Sequence, residues 1–221
     1  MQDYYEARAP EYDDWWNGTG LFADRDRPGW EDERDELIAT LRGLPPARTL
    51  DVACGTGYLT QHLPGRLTGL DASPSMLEHA ARRVPSAGFV EGDGLRLPFA
   101  DDAFERIVTG HFYGHLEETV RSRFLAEARR VGPELIVVDS ALREDVEPEE
   151  QQVRELTDGS RWTVYKRYFT GAGLAAELGG GEVLHDGHWF VVVRTAGSWR
   201  GGAGGRLRRP GGGAGQGREG A

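Results

Sequence analysis

The sequence predicts an α/β fold: a doubly wound, mostly parallel sheet with an antiparallel hairpin on its C-terminal side and a helical, aromatic cap at its N-terminus. Three observations carry this. Short apolar runs alternate with helical patterns from about residue 30 to 178, the order of stacked βα units. The run Glu134-Leu-Ile-Val-Val-Asp139 is apolar without a break, as a central parallel strand covered on both faces is. Asp186-Gly187 separates two β-like runs, 182–185 and 189–194, and Asp-Gly in that position signals a hairpin.

The elements follow in order. Residues 1–28 hold Tyr4, Tyr5, Tyr12, Trp15, Trp16 and Phe22 among many charges, too aromatic for an unfolded leader and expected to cap the domain. Leu37, Ile38 and Leu41 recur at helical intervals over 30–42, and Gly43 with Pro45-Pro46 ends that helix. A first strand through Leu50 and Val52 runs into Cys54-Gly55-Thr56-Gly57, then a short helix over 58–63. A second strand, 67–71, ends in Asp71; Ser73 or Ser75 caps the next helix, with Pro74 in its first turn, as far as Val84. A third strand, 89–93, is tipped by Asp93, and a fourth covers 104–110. A helix over 117–131 leads to the fifth strand, 134–139. From 147 to 168 the pattern is polar and irregular, and a helix over 148–156 is expected, then a loop and a short extended piece. A helix over 170–178 closes at Gly179-Gly180-Gly181. Residues 196–221, nearly all Gly with scattered Arg, cannot bury enough apolar surface to fold and are expected to be a disordered tail. The expected domains are 1–28, 29–195 and 196–221.

Composition narrows the function. The chain has 221 residues, 38% of them hydrophobic and 28% charged, ordinary for a globular protein with one core. No stretch approaches the ~20 apolar residues of a membrane span, and the first residues lack the basic-then-apolar order of a secretory signal. A single cysteine, Cys54, allows no internal disulfide and fits a cytoplasmic setting, where a small residue under the glycine turn is the expected role. The net charge is −10; the tail alone is about +4, leaving about −14 on the rest. Such a surface repels polyphosphate, so neither nucleic acid nor membrane is an expected partner, and the tail has only Trp199 to stack on bases.

The chemistry lies at the strand ends. Cys54-Gly55-Thr56-Gly57 forms a strand-turn-helix junction whose glycines let backbone N–H groups approach a ligand. Asp51 sits late in that strand and can accept from turn amides or a ligand amine. Asp71, at the end of the second strand, is placed to take both hydroxyls of a ribose. With Asp93 the sequence presents three acid-tipped strands in succession. These segments, Asp51-Val-Ala-Cys-Gly-Thr-Gly57, Gly69-Leu-Asp71-Ala-Ser-Pro-Ser-Met-Leu77 and Gly92-Asp93-Gly-Leu-Arg-Leu-Pro-Phe99, resemble the class I S-adenosylmethionine-dependent methyltransferases, of the small-molecule type 11/25-like kind. The resemblance covers about residues 1–195. Its three motifs are specific together where each alone is not.

The resemblance implies a seven-stranded sheet of order 3-2-1-4-5-7-6, ended by the antiparallel hairpin, and S-adenosyl-L-methionine as cofactor. It implies that Asp51 and the amides around Gly55 and Gly57 hold the cofactor's amino-acid end, and that Asp71 takes the ribose. Ala72 or Met76 would flank the adenine, and Asp93 with the Gly94 and Leu95 amides would read its edge. Tyr5 and Tyr12 would close the pocket from the cap, or simply fill the groove beneath it. Ala53 stands where the family often has glycine. Gly110-His111-Phe112-Tyr113-Gly114-His115 leaves the carboxyl edge of the sheet, so Gly110 faces the cofactor and His111 is the candidate catalytic base, ahead of His115. The alternative for both histidines is packing. Tyr165, Arg167 and Tyr168 could shape an acceptor pocket for an anionic group, with surface packing the stronger reading for Arg167. A small-molecule methyl acceptor is expected; no metal site is. Two rivals stand beside this reading. A nicotinamide-dependent oxidoreductase is disfavoured because no third glycine follows Gly57 and Asp93 would have no task. A non-catalytic protein that binds S-adenosylmethionine has nothing in the sequence against it.

Overall fold

The computed structural model describes residues 2–195; the expected tail at 196–221 lies outside the described residues. Seven strands form the main sheet: β1 (Ala47–Val52), β2 (Gly65–Asp71), β3 (Gly88–Glu91), β4 (Arg106–Gly110), β5 (Leu135–Ser140), and the late pair β8 (Gly181–Asp186) and β9 (Phe190–Thr195). Their order is β3-β2-β1-β4-β5-β9-β8. The first five run parallel, and β9 pairs antiparallel to both β5 and β8. This is the expected topology, with the closing hairpin in its expected place.

Period-two alternation on the buried strands supplies one core on each face of the sheet. Leu135 and Val137 of β5, Ile107 of β4, and Val191 and Val193 of β9 face helix α5 (Glu118–Val131) through Phe124, Leu125 and Ala128, and helix α6 (Gly171–Glu177) through Leu174. Ile136, Val138, Val108, Phe190 and Val192 face the opposite way, onto Leu37 and Leu41 of α3 (Trp30–Arg42) and onto Trp16. All six residues of β5 are buried, which is why Leu135–Val138 is apolar without a break, while Asp139 and Ser140 end the strand at the site. Helix α4 (Pro74–Arg83) is capped by Ser73, whose hydroxyl accepts from the Met76 N–H at 3.1 Å. Losing such a cap costs about 1 kcal/mol. The final turn is held from outside: Glu33 of α3 accepts from the N–H groups of His188, Trp189 and Phe190.

The cap is a string of short helices, α1 (Gln2–Arg8), α2 (Asp14–Asn17) and 3-10 turns at Ala9–Glu11 and Gly20–Phe22. Trp16 is 2% exposed and stacks on Tyr58 at 4.5 Å. Two carboxylates fasten the cap to the site below. Glu6 accepts from the Ser73 and Ser75 hydroxyls at the start of α4, where the helix dipole favours an anion. Asp13 pairs with Arg83 and accepts from the Thr56 hydroxyl, tying α2 to the glycine turn.

Two expectations need correction. Residues 148–156 are not a helix but the strand β6 (Glu149–Glu155), paired antiparallel with β7 (Arg161–Arg167) in a separate two-stranded ribbon. Alternate residues of β6 are half-buried and exposed in turn, a period of two that no helix would show. Asp158-Gly159 makes the turn, with Gly159 at φ +83°. After the glycine turn, the expected helix over 58–63 is only a 3-10 turn, Thr60–His62.

Candidate functional site

At the carboxyl ends of β1, β2 and β4 lies a cavity of about 550 Å³. The turn after β1 builds its floor. Ala53 has φ +58° and Gly55 φ +54°, both left-handed, so a β-carbon is carried at Ala53 in a conformation that glycine adopts without strain. The Gly55 N–H donates to Asp71 Oδ2 at 2.8 Å, and the Ser73 N–H donates to Oδ1 at 2.9 Å. Both carboxylate oxygens are thereby aimed, and each retains a lone pair for a ligand hydroxyl. Burial raises the Asp71 pKa, and the amide bonds from Ser73 and Gly55 pull it back.

Eleven of the thirteen residues expected to bind cofactor line this cavity: Tyr5, Tyr12, Ala53, Gly55, Asp71, Ala72, Met76, Asp93, Gly94, Leu95 and Gly110. Asp93 is an exposed rim residue whose Oδ1 accepts from the Leu95 N–H at 2.8 Å, orienting the loop that carries Gly94. Asp51 and Gly57 are elsewhere. The Asp51 carboxyl is 3% exposed under the turn, where it accepts from the Thr60 hydroxyl at 2.6 Å, and burial pushes its pKa up to about 7. Gly57, at φ +74°, serves packing: a β-carbon there would meet Ala80 of α4 at 3.2 Å. Cys54 is buried beneath the turn with its thiol pKa raised by burial, the opposite of a reactive thiolate. Sequence reasoning missed Phe112, Leu116 and Val120 as walls of this cavity.

A second cavity, about 780 Å³, lies between the cap and the β6–β7 ribbon. Tyr5, Tyr12, His111 and His115 line both cavities and so mark where they meet. Burial pushes the Tyr5 phenol up to about 12 and Tyr12 higher still, keeping both as hydroxyl donors. His111 also has a left-handed backbone, φ +54°. Its ring is wedged against Trp15 and Trp16, with centroids at 4.8 and 5.2 Å. Nδ1 faces Asp139 Oδ1 at 3.9 Å, and Nε2 is buried with no hydrogen-bond partner among the described residues. Burial lowers the His111 pKa to about 3, against the opposing pull of Asp139, so the ring is neutral and a weak base whose protonated form depends on Asp139. His115 is committed to structure: its Nδ1 bonds the Tyr165 carbonyl at 2.7 Å.

Asp139 organises this side. It is fully buried, accepts from the Gly114 and Ser140 N–H groups at 2.7 and 2.8 Å, and pairs with Lys166 Nζ at 2.6 Å. Of the expected acceptor residues, Tyr165 lines the first cavity and Tyr168 the second. Arg167 lines neither; it pairs with Glu149 and Glu177 and sits on the Phe169 ring. Among the described residues no group of three or more potential metal ligands occurs, and no helix is long and apolar enough to cross a membrane.

The donors present fit S-adenosylmethionine: paired carboxylate oxygens at Asp71, a glycine turn held open by positive φ, and apolar walls from Met76, Leu95 and Phe112. Known proteins agree. A family model described as a methyltransferase domain matches residues 49–132, the span from β1 through α5. The chain is 35% identical over 103 residues to a demethylmenaquinone methyltransferase of Thermotoga maritima, covering 44% of each. It is 40% identical over 116 residues to phthiotriol/phenolphthiotriol dimycocerosates methyltransferase 1 of Mycobacterium ulcerans, covering 46% of this chain and 41% of the relative. These matches span less than half the length of either relative. Among solved structures, a complex of DhpI with SAM and HEP superposes with a TM-score of 0.69 at 26% identity, over 87% of this chain and 94% of that one. The glycopeptide N-methyltransferase MtfA shares the fold, with a TM-score of 0.54 at 21% identity over 73% and 88% of the two chains. The strand order, the acid-tipped strand ends and these relatives converge on the class I S-adenosylmethionine-dependent methyltransferases, which the chain resembles in sequence over residues 49–132 and in fold over most of its length.

Proposed function

We propose that this protein transfers a methyl group from S-adenosylmethionine to a small-molecule acceptor. The observation that carries the reading is the pair of adjoining cavities. One gathers Asp71, Asp93, Gly55 and Met76, and it meets the other across Tyr5, Tyr12 and His111. When bound, the cofactor supplies an electrophilic methyl group on a sulfonium, with a neutral thioether as leaving group. The protein's own part is therefore to position, to exclude water and to take a proton.

Asp71 would hold the ribose hydroxyls, and the Leu95 and Gly94 backbone, fixed by Asp93, would meet the adenine. The cap, pinned by Glu6 and Asp13, would keep water out, with Tyr5 and Tyr12 as its inner surface. His111, neutral and with a buried free Nε2, would receive the proton that an attacking hydroxyl or amine sheds. Asp139 would stabilise the imidazolium so formed across 3.9 Å. The nicotinamide alternative is not favoured, since Asp93 shares the Asp71 cavity and so has a task. Transfer of labelled methyl from S-adenosylmethionine to a panel of small metabolites tests the reading. Label transfer that disappears in His111→Asn with cofactor affinity intact is expected. Cofactor binding without transfer to any member would favour the non-catalytic alternative.

A further inference from the structure

The second cavity has an unusual charge pattern. Six cations line it: Arg8, Arg25, Arg27, Arg143, Arg154 and Lys166. Lys166 is paired with Asp139 and Arg143 with Asp145. Arg27 donates to the Trp15 carbonyl at 2.7 Å, and Arg25 is exposed over Phe22. Arg8 and Arg154 are different. Among the described residues the hydrogen-bond partners of both are the neutral side chains of Tyr4 and Gln152 and no carboxylate pairs with either, although Arg8 is only 8% exposed. They come from α1 and β6, yet converge on one phenol oxygen: Arg8 Nη1 is 2.9 Å and Arg154 Nη1 3.5 Å from Tyr4 Oη. Gln152 Oε1 accepts the remaining Arg154 bonds.

The cavity's acids do not neutralise this pair. Glu11 accepts from the Thr157 N–H and hydroxyl, Glu150 from Gln152 and Tyr168, and Glu155 pairs with Arg161. Asp26 is exposed. A guanidinium cannot shed its proton to escape burial. Two of them turned toward one another in a half-desolvated cavity repel, unless an anion accepts from both, and charge-assisted bonds of that kind are among the strongest available.

We propose that the methyl acceptor carries a compact oxyanion, carboxylate or phosphoryl in type, seated between Arg8 and Arg154, with its reactive atom toward the Tyr5–His111 junction. The claim that this guest is the acceptor rests on the methyltransferase reading above. The anion site itself stands on the arginine geometry.

The test is calorimetric titration of the full chain with inorganic phosphate, sulfate and acetate against potassium chloride at matched ionic strength, and separately with S-adenosylhomocysteine. At least one oxyanion is expected to bind one-to-one. Arg154→Gln should weaken it tenfold or more, and Arg82→Gln, on the outer face of α4, should not. Arg154→Gln should leave S-adenosylhomocysteine affinity within about twofold, because Arg154 does not line the cofactor cavity. Arg154→Lys, which keeps the charge, should restore part of the anion affinity, separating lost charge from a loosened ribbon. Phosphate and sulfate binding without acetate assigns the phosphoryl-type head, and the reverse assigns the carboxylate. Equal oxyanion affinity in wild type and Arg154→Gln, or no oxyanion binding in a wild type that binds S-adenosylhomocysteine, overturns the proposal and spares the methyltransferase reading. Oxyanion binding through Arg154 in a chain that fails to bind S-adenosylhomocysteine would instead remove that reading, and the acceptor claim with it.

Discussion

Lys166→Met removes the cation that answers Asp139 beneath the second cavity. The two side chains are 4% and 0% exposed, with Nζ 2.6 Å from Oδ1. Breaking a buried pair from one side costs roughly 3–5 kcal/mol, because the remaining charge is left in a poor solvent. Asp139 keeps the N–H groups of Gly114 and Ser140, which places the expected cost near the lower limit, about 3 kcal/mol. For a chain of this size each kcal/mol moves Tm by roughly 2–4 °C, so a fall of about 6–12 °C is expected. The double variant Lys166→Met/Asp139→Leu, with no charge stranded, should recover much of it. The site should respond too: Lys166 is one of the cations that lower the His111 pKa, so NMR titration of the variant should find His111 above about 3. A Tm change below 2 °C, or a double variant no better than the single, would refute the reasoning.

Other consequences can be measured together. Asp71→Ala should weaken S-adenosylhomocysteine binding more than tenfold, since two ribose hydroxyls lose a buried acceptor and the Gly55 and Ser73 amides lose theirs; unchanged affinity would count against the site. Asp93→Ala should also weaken it more than tenfold, through the released Leu95–Gly94 loop. Asp51 titrates near 7 in the folded chain against 3.8 unfolded. The folded state thus binds the extra proton between those values, and stability from this group falls as pH rises through that window. Asp51→Asn cannot ionise, so its stability relative to wild type should climb from pH 5 to pH 8, by up to about 3 kcal/mol, with Tm following. A pH-independent difference would contradict the buried-carboxyl account.

What could be read from the sequence was what local chemistry dictates. The unbroken Leu-Ile-Val-Val of β5 declared a strand covered on both faces, and Asp186-Gly187 declared the closing hairpin. Ser73-Pro74 announced the start of α4. The acids at strand ends were visible because parallel strands deliver their carboxyl ends to one edge, and Asp71 and Asp93 do line one cavity. Asp51 shows the limit of that argument: its position in β1 was legible, but Thr60, nine residues later, captures the carboxyl below the turn. The β6–β7 ribbon was misread because Pro148 followed by Glu and Gln looks like a helix start, and these residues have little β propensity. Asp158-Gly159 carried the contrary signal. The second cavity was invisible for a different reason. Tyr4 and Arg154 are 150 residues apart and meet only because the cap folds back over the ribbon. No spacing rule connects them.

The central claim is that Asp71, Asp93 and the glycine turn serve a single adenosine-bearing sulfonium cofactor. Calorimetric titration of the full chain with S-adenosylhomocysteine, run beside NAD, tests it most directly. One-to-one binding of S-adenosylhomocysteine with NAD silent is the predicted result. No binding of S-adenosylhomocysteine, or NAD binding at least as tightly, would contradict it.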